Sequence, residues 1–92
     1  MVEVNGDRLR VSGPMTIESA AALMAAGEAA VRNGAAVIDL SQVQEADSAA
    51  LAVLFSWLRA AGDKSRLSIV EPPESLRSLA TLYGVADLLP LA

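Results

Sequence analysis

With 92 residues, 53% of them hydrophobic and only 3% aromatic, the chain can build one aliphatic core and has little room for a second domain. Its net charge is −4 and its seven basic residues are scattered from Arg8 to Arg77, which leaves no cationic stripe for nucleic acid or an anionic lipid surface. The lack of cysteine and histidine excludes disulfides, thiolate chemistry, the common zinc sites and a Ser-His-Asp triad, so no cofactor and no metal are expected.

Val2, Val4, Leu9 and Val11 alternate with polar neighbours around Asn5-Gly6, which predicts a hairpin turning at that dipeptide. Ser12-Gly13-Pro14 stops the second strand. Thr16 is the expected N-cap of a helix from Ile17 to about Arg32, with Glu18 in its first turn. Ile17, Ala20, Met24, Gly27 and Val31 would form its buried stripe, and Asn33-Gly34 its stop. The uncharged run from Ser19 to Gly27 is far short of the ~20 residues of a membrane span. It also lacks the basic flank of a signal peptide, so a cytosolic chain is expected.

Ala35 to Leu40, broken only by Asp39, reads as a strand covered on both faces. The loop Ser41 to Ala46 leads to Asp47, the expected N-cap of a second helix ending near Gly62. Lys64 falls in a turn and makes a poor general base there. Arg66 to Glu71 is a further strand, with Leu67, Ile69 and Val70 for the core. Pro72-Pro73-Glu74 opens a third helix with Leu76, Leu79, Ala80 and Tyr83 inward and Gly84 at its end. Val85 to Leu91 can add at most one more turn before Pro90. The order predicts one α/β domain over residues 1–92, with parallel crossovers, an antiparallel N-terminal hairpin and three main helices.

The second helix carries the functional signal. At about 100° per residue, Leu51, Leu54, Phe55 and Leu58 share a core face. Ala49, Ala52, Val53, Ser56 and Ala60 fall on the opposite side, with Trp57 on the flank and Ser48 and Arg59 at the margin. Solvated helix faces usually carry charge, and this one is small and apolar. A sheet covers only one side of a helix, so Ser48, Ala49, Ala52, Val53, Ser56, Trp57 and Ala60 are expected to meet a partner protein. Ser48 is either a plain helix-start residue or a hydroxyl open to a partner or a kinase; a phosphate would add a charge of about −1.5 to −2 there. Catalysis is not expected, because Asp39 and Asp47 have no second group spaced to cooperate with them.

Three stretches carry a resemblance to a family. Val11-Ser12-Gly13-Pro14-Met15-Thr16, Val37-Ile38-Asp39-Leu40-Ser41-Gln42-Val43 and Ala46-Asp47-Ser48-Ala49-Ala50-Leu51-Ala52-Val53-Leu54 resemble the strand end, central strand and signature helix start of a STAS domain, the fold of anti-sigma-factor antagonists. The resemblance spans essentially the whole chain and implies a STAS-like mixed sheet of four strands. The short length and the ending Leu79 to Pro90 look most like the STAS subunit of a phospholipid-transport ABC complex. That implies an ABC-transporter ATPase as partner, bound through the second helix, and a cytoplasmic place at the inner membrane held through the transporter. The alternative it implies is an antagonist switched by a serine kinase at Ser48, acting on an anti-sigma factor. Two departures weigh against that switch: Ala49-Ala50 replaces a glycine-containing pair, and Thr16 stands where antagonists often carry an acid.

Overall fold

In the computed structural model residues 1–91 are described, Lys64 by its backbone alone. The strands are β1 (Val2–Asn5), β2 (Arg8–Ser12), β3 (Val37–Gln42) and β4 (Ser68–Val70). The helices are α1 (Ala20–Arg32), α2 (Ser48–Ala61) and α3 (Glu74–Leu82), with short 3-10 turns at Lys64–Arg66 and Ala86–Leu88. The predicted elements are all present, and several boundaries move for identifiable reasons.

The hairpin turns at Gly6-Asp7, one residue later than expected, with Asn5 paired to Arg8. This register sets Val2 against Val11 and Val4 against Leu9, whereas a turn on Asn5-Gly6 would oppose Val4 to Asp7. Gly6 supplies the positive φ (64°) at the first central position. Helix α1 starts at Ala20 instead of Ile17. The Ser19 hydroxyl donates to the carbonyls of Pro14 (2.9 Å) and Thr16 (3.1 Å) and accepts the Thr16 N–H, which ties residues 14–19 into a turn before the helix begins. Ile17 therefore leaves the buried stripe and is 74% exposed. Leu23 and Ala30 join Ala20, Gly27 and Val31 in that stripe, with Met24 half-buried.

The sheet order is β1-β2-β3-β4, antiparallel between β1 and β2 and parallel elsewhere. Successive crossovers step the same way across the sheet, and right-handed connections then place α1 and α2 on one face. Leu9, Val11, Ile38, Leu40 and Ile69 are buried and face those helices. Among the described residues no helix covers the other face, so β3 is not sandwiched as its sequence suggests. Arg8, Arg10 and Glu3 lie there in register with Asp39 and its neighbours. Asp39 is shielded by arginines, with Arg8 Nη1 at 3.1 Å and Arg10 Nε at 3.8 Å. Burial alone would raise its carboxyl pKa; hydrogen bonds from Ser41 and the Arg8 guanidinium outweigh this and hold it below the ordinary value.

Strand β4 is shorter than predicted, and its outer edge is covered by the returning chain, where the Ile69 N–H donates to the Pro90 carbonyl at 2.9 Å. Leu76 and Ala80 of α3 are buried, but Tyr83 is 57% exposed, against expectation. The helix closes at Tyr83, Gly84 turns the chain with φ 69°, and Leu89 and Val85 come back to pack against the core in its place.

Candidate partner-docking surface

Helix α2 is anchored at both ends as its sequence demands. Asp47 is extended (φ −118°, ψ −170°), and its Oδ1 accepts the Ala49 N–H at 2.8 Å, satisfying one free donor of the first turn. Gly62, with φ 79°, ends it. Leu51, Leu54 and Leu58 are buried as expected, while Phe55 is only half-buried.

The expected outer face divides in two. Val53 and Trp57 are fully buried and Ser56 is 4% exposed, so these three do not lie on a free surface. The reason is α1, which packs alongside α2 in the same layer. A Cβ added at Gly27 would overlap the Trp57 indole at Cε2, Nε1 and Cζ2. The missing side chain lets the ring lie against the α1 backbone, and the indole Nε1–H donates to the Leu23 carbonyl at 3.1 Å. Ser56 donates its hydroxyl to the Glu28 carboxylate, which also pairs with Arg32 at 3.6 Å. Every described buried polar side-chain atom has a hydrogen-bond partner. The signal for this seam was in the sequence: a glycine inside an alanine-rich helix costs about 1 kcal/mol relative to alanine and calls for a close neighbour.

What remains in solvent is a narrower stripe. Ser48, Ala52 and Arg59 are exposed, spaced four and then seven residues apart along one line of the helix, with Phe55 half-buried on the same line. Ala49 and Ala60 are half-buried along its α1-side border. Beside the helix start lies Ile17, which its spacing places in the core and the structure leaves exposed. The second Asp47 oxygen, Oδ2, accepts the Ile17 N–H at 3.1 Å, so the exposed Ile17 is tied to the residue preceding Ser48. Among the described residues no acidic, histidine or cysteine cluster could hold a metal ion, and no helix is long and apolar enough to cross a membrane.

A small α/β sheet layered on one side by helices, with an Asp-Ser step opening its central helix, is a STAS domain, and the chain belongs to the family described as Mlab, STAS domain, whose model matches residues 2–90. Within it the chain is similar to a chain of the Acinetobacter MlaFEDB complex in its ATP-bound Vtrans2 conformation, with a TM-score of 0.87 and 29% identity over 100% of this chain and 99% of that one. The expected STAS-domain resemblance is thereby met. An anti-sigma factor antagonist from Mycobacterium paratuberculosis is similar at a TM-score of 0.79 and 28% identity, over 99% of this chain and 81% of that one. The anti-sigma factor antagonist SpoIIAA in its unphosphorylated form shares the fold, with a TM-score of 0.62 and 13% identity over 89% of this chain and 81% of that one. A sequence comparison with curated proteins gave no match.

Proposed function

We propose that the chain is a non-catalytic accessory subunit that binds and supports the ATPase of a phospholipid-transport ABC complex, on the cytoplasmic side of the inner membrane. The carrying observation is the correspondence with a chain of the MlaFEDB complex, over 100% of this chain and 99% of that one. The docking surface in this reading is the exposed stripe of Ser48, Ala52 and Arg59, with Ala49, Phe55 and Ala60 along it. Val53, Ser56 and Trp57 support it from beneath. Small side chains at the stripe let a partner backbone approach closely, and the large anchoring side chains would then come from the ATPase.

Co-expression with the ATPase subunit and recovery of the complex tests this. Ala52→Arg places a long charged chain at the centre of the stripe and is expected to abolish co-purification while the isolated variant stays folded. A chain that never associates with the ATPase under conditions that preserve such complexes contradicts the proposal.

A second reading is favoured by one observation: Ser48 is exposed at the first turn of α2, where a kinase can reach it. In that reading the protein is an anti-sigma-factor antagonist and a phosphate at Ser48 controls binding. The helix N-terminus would favour that charge, while the adjacent Asp47 carboxylate would oppose it. Mass spectrometry after incubation with serine kinases of this family decides the matter, and an unmodified Ser48 counts against the switch.

A further inference from the structure

The segment between β2 and α1 is tied to the approach and front of α2 by three hydrogen bonds. The Met15 N–H donates to the Glu45 carbonyl at 2.9 Å, the Asp47 N–H to the Met15 carbonyl at 3.2 Å, and the Ile17 N–H to Asp47 Oδ2 at 3.1 Å. Asp47 thus divides its carboxylate, one oxygen capping α2 and the other holding the loop. The loop delivers a large apolar side chain that the fold leaves 74% exposed although two residues to either side, Met15 and Ser19, are buried or partly so.

Resting on the docking reading above, we propose that Ile17 and the α2 stripe form one continuous surface for the ATPase, and that Asp47 is the positioning residue that keeps the two segments in register. The charges around this surface indicate what covers it. Exposed Glu18 and Glu45 lie on the two segments at the Ile17 end, exposed Arg59 lies at the other, and none of the three has an ion pair among the described residues. The complementary surface is apolar in its middle, basic where it meets Ile17 and acidic where it meets Arg59.

The test is a binding titration of the purified ATPase subunit against the full chain and its variants. Ile17→Ala removes exposed apolar surface that only the complex would bury, and is expected to weaken binding about tenfold without lowering the melting temperature. Asp47→Asn retains a good cap, but with its carbonyl oxygen on Ala49 it turns an NH2 group, a donor, toward the Ile17 N–H that Oδ2 accepts. It should weaken binding by a similar factor and speed hydrogen exchange at the Ile17 amide, with α2 amides still protected. The two substitutions together should cost little more than either alone, because both remove the same contact. Additive losses, or wild-type affinity in Ile17→Ala, would overturn the inference while leaving the α2 docking site intact, provided Ala52→Arg still abolishes binding. Undiminished binding by Ala52→Arg would overturn both. A homodimer of the isolated chain that dissociates on Ile17→Ala would overturn the assignment of this surface to the ATPase.

Discussion

The two flanks of α2 meet at adjacent apolar residues, Ala52 and Val53, and are opposite in fate. One flank, Val53, Ser56 and Trp57, is closed by α1 within the domain; the other, Ser48, Ala52 and Arg59, stays in solvent. Hydropathy does not separate Ala52 from Val53, which are adjacent and both apolar. What separates them is the shape of the neighbouring helix, where Gly27 lets an indole ring lie against the α1 backbone. An apolar position turned away from the sheet is therefore weak evidence for a partner whenever a second helix occupies the same layer. Only the line of α2 that the sheet, α1 and α3 all leave in solvent is a candidate docking surface.

The largest expected effect breaks the closed flank. Val53→Glu would bury an unpaired carboxylate, at a cost of several kcal/mol against a total stability of order 5–15 kcal/mol for a domain of this kind. Circular dichroism should find no cooperative thermal transition in this variant. Next comes Trp57→Ala, which leaves a cavity, removes the indole bond to the Leu23 carbonyl and should destabilise by about 3–5 kcal/mol in urea titrations. Gly27→Ala attacks the same seam from the other side by overpacking it, at about 1–3 kcal/mol, and should push the indole into a changed fluorescence environment.

A smaller effect comes from the uncovered sheet face, where Asp39 rather than an apolar side chain organises the surface. Its folded-state carboxyl titrates below the ordinary value, so the folded chain binds fewer protons than the unfolded one in that range. The stabilisation is present above the unfolded pKa of about 3.9 and is lost as pH falls through the lower folded value. Urea midpoints measured from neutral pH down to this range should fall for the wild type, and Asp39→Asn should flatten part of that fall.

The order of elements, the hairpin, the caps at Asp47 and Gly62 and the core leucines of α2 were legible because each rests on local chemistry or on periodicity within one segment. The errors arose where two segments meet. The start of α1 depends on the Ser19 hydroxyl competing for nearby backbone groups, which residue spacing alone does not reveal. The exposure of Tyr83 depends on where the chain beyond Gly84 returns, and Leu89 takes the buried place. The exposed stripe of α2 was half legible: its helix and its first residue, Ser48, could be named, but the division between exposed Ala52 and buried Val53 required the position of α1. Ile17 was missed because periodicity placed it inside a helix that begins three residues later, at Ala20.

The most direct measurement sets Ala52→Arg beside Val53→Glu, adjacent residues on the two flanks, and reads folding and ATPase binding for each. The expected result is a variant at Ala52 that melts within a degree or two of the wild type yet fails to bind, and a variant at Val53 that does not fold. A folded Val53→Glu chain that loses only its partner, or an Ala52→Arg chain that still binds the ATPase, would contradict this division of the helix.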